Sequence, residues 1–223
     1  MNRENAVTSE LVEPAAPVGE TIDFGGLRIA FDQRVLRPRT WTENQSLWAA
    51  ELLPSLPPGT VLELCSGAGQ IGLWAVAGSG RRLVCVDVNP VAAEYIAANA
   101  VAAGLRNRVE IRLGRISEAL APRERFPLII ADPPWVPRAD TQRFPEDPLL
   151  AIDGGEDGMG VVRECLAAIA SHLGPGGVAL LQLGPNGQVQ AVADMLAGTE
   201  LVAGETRDFG ERGVLLRIDH RVE

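Results

Sequence analysis

Beyond Pro57-Pro58-Gly59 the sequence alternates between short apolar runs and longer stretches of helical periodicity, and this alternation constrains the fold more than any single motif. The pattern predicts strands over 60–65, 83–88, 109–113, 128–131, 177–183, 201–206 and 213–218, with helices over 70–78, 90–103, 158–173 and 187–197. Apolar strands separated by helices call for a mostly parallel sheet covered on both faces. The expected fold is therefore α/β and Rossmann-like, with a seven-stranded sheet. Its last two strands are joined only by Phe209-Gly210-Glu211-Arg212-Gly213, which predicts a hairpin and an antiparallel strand at the sheet edge.

The part before this series reads differently. Residues 22–36 alternate apolar and polar positions around Gly25-Gly26 and Asp32-Gln33, as short strands joined by turns do. Thr42 then offers a helix cap to a stretch carrying Leu47, Trp48, Leu52 and Leu53 at helical spacing, stopped by Pro54. Trp48 falls on the core side of that helix. The expected organisation is a flexible tail over 1–20, a β-hairpin and helix prelude over 21–57, and one α/β domain over 58–223. The opening residues show no basic segment leading into an apolar one, and no apolar run approaches the roughly 20 residues that span a bilayer. A cytoplasmic location without membrane contact is the expectation.

Composition removes several chemistries. All 20 basic residues are arginine, so lysine Schiff bases and P-loop phosphate binding are excluded. Two histidines and three widely spaced cysteines give no metal-ligand pattern, so no metal is expected. A net charge of −9 opposes nonspecific nucleic-acid binding, although Arg106, Arg108, Arg112 and Arg115 could form a local basic edge.

Val61-Leu62-Glu63-Leu64-Cys65 reads as a buried strand, and Ser66-Gly67-Ala68-Gly69-Gln70-Ile71-Gly72 follows it before an apolar helix. Such glycines let the backbone turn sharply and approach a ligand. Asp87, at the end of the next strand, could accept both ribose hydroxyls of an adenosine-containing cofactor. Gly67 to Gly72 also satisfies the nicotinamide-type G-x-G-x-x-G pattern, so the loop alone does not choose between cofactors. Glu63, which could attract a methionine ammonium, and the lack of a second phosphate-binding feature favour S-adenosylmethionine.

Leu128-Ile129-Ile130-Ala131 is an apolar strand ending in Asp132-Pro133-Pro134-Trp135. Loops beyond the carboxyl ends of parallel strands form the ligand crevice, which puts this motif against the cofactor. The prolines stiffen the loop and remove donors, so a substrate nitrogen would meet only the Asp132 carboxylate and the Pro133 carbonyl. Those acceptors would aim its lone pair at a sulfonium methyl, and Trp135 offers a flat face for a planar or cationic group.

With VLELCSGAGQIGL, VCVDVNPVAAEYIAANAVAAGL, PLIIADPPWVP and IDGGEDGMGVVRECLAAIASHLGPGGVALLQLG, the chain resembles the protein-glutamine N-methyltransferase family that modifies release factors, a family of class I S-adenosylmethionine-dependent enzymes. Arg37-Pro38-Arg39 with Thr42-Glu43, and Asp153-Gly154-Gly155-Glu156-Asp157-Gly158, are similar to two further family segments. The resemblance implies cofactor contacts from Glu63, Ser66, Gly67, Gly69 and Asp87, with Cys65, Ala68, Val88 and Ile116 as their neighbours, and a target nitrogen held by Asp132 to Trp135. Three positions depart from it. Asp132 and Trp135 stand where the family has Asn and Tyr, and Arg115 stands where an acidic residue faces the adenine. The 20 tail residues are not expected to replace the amino-terminal helical domain of the release-factor enzymes.

An ionised Asp only accepts hydrogen bonds, so Asp132 points to a donor-rich nitrogen. The expected activity is transfer of a methyl group to a nitrogen of a small amine, guanidine or amide, with protein glutamine and nucleic-acid adenine as rival acceptors. A noncatalytic S-adenosylmethionine-binding module remains open. Trp41 and Glu43 from the prelude, Trp135, and Arg138 and Arg143 on the polar loop 138–150 are the candidate substrate contacts.

Overall fold

The computed structural model describes residues 19–185 and 187–221, so the tail expected over 1–20 lies almost wholly outside the described residues. Strands β1 (Glu20–Phe24) and β2 (Leu27–Phe31) form the antiparallel hairpin around Gly25-Gly26, both at positive φ. A 3-10 turn at Thr40–Thr42 leads into α1 (Glu43–Leu52). The Thr42 hydroxyl does not cap that helix; it donates backwards to the Arg39 carbonyl at 2.7 Å, because the preceding turn already curls the chain.

The alternating series follows as β3 (Val61–Leu64), α2 (Gln70–Ala77), β4 (Leu83–Asp87), α3 (Pro90–Ala102), β5 (Val109–Leu113), α4 (Ile116–Ala119) and β6 (Phe126–Ala131). Then come α5 (Leu149–Ile152), α6 (Gly160–His172), β7 (Leu173–Leu183), α7 (Gln188–Leu196), β8 (Leu201–Asp208) and β9 (Val214–His220). The seven main strands lie in the order β5-β4-β3-β6-β7-β9-β8. All are parallel except β9, which runs against both β7 and β8. The two closing strands form the hairpin at that edge, and the reversed one is the inner of the pair. Strand β7 begins four residues before the expected 177, because Leu173 pairs with Phe126 ahead of a register shift that sets Val178 against Leu128. Helices α4 and α5, four residues each, are too short for periodicity to reveal.

Strand side chains alternate between faces, and each face carries its own core. Val61, Leu83, Cys85, Leu128 and Ile130 face the hairpin and helices α1 to α3, with Trp48, Tyr95 and Ile96 packed among them. Leu62, Leu64, Val84, Val86, Ile129 and Leu181 face Val162, Cys165 and Ile169 of α6 and Val192 of α7. Among the described residues no helix is long and apolar enough to cross a membrane.

The hairpin is fastened to this core by side-chain amides. Asn99 of α3 accepts from the Ala30 amide at 2.8 Å, donates to the Ala30 carbonyl at 3.0 Å and donates to Ala68 in the glycine loop at 2.9 Å. Tyr95 donates to Asp32 at 2.7 Å, and the Asn89 side chain donates to the Arg34 carbonyl at 2.9 Å.

Candidate active site

Strands β4 and β5 are laid down on one side of β3, and β6 and β7 on the other, so a crevice opens beyond the carboxyl ends at the point of reversal. It holds a cleft of about 480 Å³. Of the residues expected at a cofactor, Cys65, Ser66, Gly67, Asp87, Val88, Arg115, Ile116 and Asp132 line it.

The glycine loop is built by a sharp turn. Cys65 has φ 58° and is the one non-glycine residue with positive φ among the described residues, a conformation that costs on the order of 1–2 kcal/mol. The Ser66 hydroxyl donates to the Glu63 carbonyl at 3.0 Å, and the Ser66 amide to the Val86 carbonyl at 3.2 Å. The next amide, Gly67, donates to Asp87 Oδ2 at 2.8 Å, while Asn89 donates to Oδ1 at 2.8 Å. Burial raises the Asp87 pKa, and these backbone donors oppose the rise. Gly67 itself faces open space, which leaves its backbone free for close approach.

Glu63 is not at the cleft. Strand alternation turns it toward α2, where it is 2% exposed, accepts from the Gly72 amide at 2.8 Å and takes the Cys85 thiol at 3.4 Å. A β-carbon at Gly72 would lie 2.5 Å from its carboxylate, so this glycine serves the acid rather than a ligand. Burial pushes Glu63 up to about 7. Ala68 and Gly69, in the same loop, are buried and stay outside the cleft lining.

Asp132 sits where β6 ends, its amide donating to Leu64 at 3.4 Å. Its carboxyl accepts no hydrogen bond from a described residue, and burial alone pushes it up to about 7. At neutral pH the neutral form is thus well populated, and that form presents one donor and one acceptor, as Asn would. The Asp153-Gly154-Gly155 segment cradles this motif. Val136 donates to Ile152 at 3.1 Å, Gly154 to Val136 at 2.9 Å and Arg138 to Gly155 at 2.8 Å. Gly158, at φ 74°, approaches the Trp135 carbonyl too closely for any side chain.

Pro134 lines the cleft, but Pro133 and Trp135 do not. The Trp135 ring lies instead over Gly184 at the end of β7, where a β-carbon would stand 2.6 Å from it. Gln188 fixes both partners, donating to the Trp135 carbonyl at 3.0 Å and accepting from the Gly184 amide at 2.7 Å. Asp132 therefore lines the cofactor cleft, while Trp135, three residues later, is turned onto Gly184 outside the cleft lining.

Trp41, Glu43, Arg138 and Arg143 stay outside the cleft lining. Arg138 pairs with Asp153 at 3.0 Å. Arg115 lines the mouth with an exposed guanidinium paired to Glu164 at 3.1 Å, across from α6. The expected basic edge is absorbed by the fold: Arg108 donates to the carbonyls of Val76, Arg81 and Ala77, and Arg112 pairs with Glu110 and Glu124.

Sequence reasoning missed several contributors. Arg34, Val35 and Leu36 reach the cleft because the hairpin folds back over α3, a long-range event with no local signal. Leu149 and Leu150 line it from a helix too short to foresee. Gln70, the first residue of α2, was legible as the residue following the glycine loop; its Oε1 is buried in the cleft wall with no hydrogen-bond partner. Gln45, fully buried on α1, forks its amide nitrogen between the carbonyls of Ala131 (3.1 Å) and Leu180 (3.2 Å), at the root of the Asp132 motif.

The sequence profile of the family described as conserved hypothetical protein 95 matches residues 25–146, more than half of the chain. The chain is 33% identical over 191 residues to the ribosomal protein uL3 glutamine methyltransferase of Bordetella pertussis, covering 81% of this chain and 62% of that one. It is 32% identical over 194 residues to the release factor glutamine methyltransferase of Cereibacter sphaeroides, covering 83% and 67%. The chain belongs to the class I S-adenosylmethionine-dependent methyltransferases. Its fold is that of this family: the ribosomal protein L11 methylase of Lactobacillus delbrueckii subsp. bulgaricus superposes with a TM-score of 0.64 at 15% identity, over 87% of this chain and 86% of that one. The chain spans less than two thirds of the length of the Bordetella methyltransferase.

The methyltransferase cleft suits S-adenosylmethionine in its donor set. Asp87 offers carboxylate lone pairs for ribose hydroxyls, Gln70 Oε1 is an unused acceptor for an ammonium, and Gly67 leaves room for close backbone approach. The glycine-loop ambiguity with nicotinamide cofactors is thereby resolved by the family.

Proposed function

We propose that this chain transfers a methyl group from S-adenosylmethionine to the side-chain amide nitrogen of a glutamine in a protein. The observation that carries the reading is that Asp132, at the end of β6, lines the cofactor cleft while the Trp135 ring of the same motif lies over Gly184 outside that lining. The relatives, named for glutamine in ribosomal protein uL3 and in release factors, support a protein acceptor. They lend no support to the small-molecule acceptor expected from the sequence.

When bound, the cofactor supplies an electrophilic methyl on a sulfonium. Asp87 would hold the ribose and Gln70 the ammonium, with the Arg34–Leu36 segment closing the adenosine side. The target amide would lie between Asp132 and the Pro133 carbonyl, which fix its N–H groups, while Trp135 covers its planar face. Asp132 and the Pro133 carbonyl would aim the nitrogen lone pair at that methyl, the neutral thioether would be the leaving group, and the proton lost from nitrogen would pass to solvent. The substitution of Asp for Asn is reconciled with an amide by burial: a neutral Asp132 donates once and accepts once.

The test is incubation of wild-type and Asp132→Ala protein with isotopically labelled S-adenosylmethionine and purified uL3 or release factor, followed by peptide mass spectrometry. The reading expects a labelled methyl on glutamine with wild type and at least a hundredfold loss with the variant. Labelling of small amines or guanidines instead, with unlabelled protein, would overturn it.

A further inference from the structure

Four chain segments, none of which lines the cofactor cleft, are tied to one another and to the Asp132 motif. Trp135 lies on Gly184. Just before Gly184, the Gln182 side chain donates to the carbonyls of Leu183 and Arg212, at 2.9 and 3.4 Å, so the β8–β9 turn abuts the end of β7. The Arg212 guanidinium stands 5.2 Å from the Trp41 ring centroid, and that of Arg39 stands 5.5 Å from it. Arg39 in turn grips Asp147, which follows the Asp132 motif on the 138–148 loop, at 2.5 and 2.6 Å. Trp41 is itself anchored close to the motif, since its carbonyl accepts from Asn44 and the next residue, Gln45, holds Ala131. Segments 39–42, 135–147, 182–184 and 209–213 are thus joined in one cluster next to the Asp132 motif.

The two guanidiniums on Trp41 differ in one respect. Arg39 is satisfied by Asp147, whose side chain is 7% exposed. Arg212 is exposed, and no acidic side chain among the described residues pairs with it. In a chain of net charge −9, a cation held in place by an aromatic ring and left without a carboxylate is a receptor for an anion. The cation–π contact keeps the guanidinium beside the ring, and its N–H groups remain available to fork onto a carboxylate.

We propose that Arg212, stacked on Trp41, selects acceptor proteins that carry an acidic side chain next to the residue being methylated. The assignment rests on the reading of a protein glutamine acceptor. It makes Arg212 a specificity residue, remote from the reacting atoms.

Two synthetic peptides of equal length, one with glutamine flanked by glutamates and one by lysines, test it in methyl-transfer assays with a short RNA hairpin as a third acceptor. Wild type is expected to show a KM about tenfold lower for the acidic peptide, with the difference shrinking as salt rises. Arg212→Ala should equalise the two KM values, Arg212→Glu reverse their order and Arg212→Lys restore part of the preference. Equal KM values in wild type, or a preference that survives Arg212→Ala, overturn the role of Arg212 while glutamine transfer stands. Methylation of neither peptide, or of the RNA alone, overturns the glutamine reading and this proposal with it.

Discussion

The Gly67 amide lies 2.8 Å from Asp87 Oδ2, so the glycine loop after one strand is closed against the carboxylate ending the next. Charge-assisted bonds of this kind are each worth roughly 1.5–3 kcal/mol. Asp87→Ala removes the loop's tie and the ribose acceptor together. Titration calorimetry with S-adenosylhomocysteine should show affinity falling by at least tenfold, and unchanged affinity would remove Asp87 from the cofactor site.

Gln45 supports the catalytic motif from behind. Gln45→Leu fills the same space but removes the amide donor that the Ala131 and Leu180 carbonyls share in a fully buried place, together with an amide oxygen that has no partner. A loss of about 1–3 kcal/mol in urea unfolding is expected. Turnover should drop as well while cofactor affinity holds, because Asp132 follows directly on Ala131.

Gly184 is the floor beneath Trp135. Gly184→Ala places a methyl group 2.6 Å from the indole, which has to lift. Initial-rate kinetics should show weaker use of the protein acceptor, by tenfold or more in kcat/KM, with cofactor binding intact. An unaltered kcat/KM would place the acceptor elsewhere.

Stability should fall as pH rises. Asp132 and Glu63 are each pushed up to about 7 by burial, so between the ordinary carboxylate range near ~4 and about 7 the folded protein holds more protons than the unfolded chain. Each pH step upward through that window therefore favours unfolding. Asp32, Glu124 and Asp157 shift the other way, toward lower values beside arginines, and their stabilisation is lost only in more acidic solution. Thermal melts of the cofactor-free protein should give a Tm roughly 5 °C higher at pH 5 than at pH 8. Glu63→Gln combined with Asp132→Asn should flatten this slope.

The sheet was legible because its signal is local. Leu128 to Ala131 are apolar on both faces, Val61 to Leu64 are so except for Glu63, and Asn89 with Pro90 announces α3 by a side-chain cap at 3.0 Å and a proline in the first turn. The motif Asp132 to Trp135 was placed correctly at a strand end for the same reason. What escaped depends on geometry that spacing does not carry. Glu63 is one residue out of phase with the crevice, a matter of which face the strand turns inward. Trp135 follows Pro134 directly, yet Pro134 lines the cleft and Trp135 packs on Gly184 outside it. Arg34 to Leu36 reach the cleft only because Asn99, Tyr95 and Asn89, more than fifty residues later, catch the hairpin.

That catch has a consequence for dissecting the molecule. Asn99 holds Ala30 with two hydrogen bonds and Ala68 with a third, so one amide group is shared by the hairpin and the cofactor loop. Cutting the chain at the sheet's first strand would strip a wall from the adenosine side and leave part of that amide without partners. A fragment trimmed to the seven strands and their helices would keep the silhouette of a methyltransferase and lose its grip on the methyl donor.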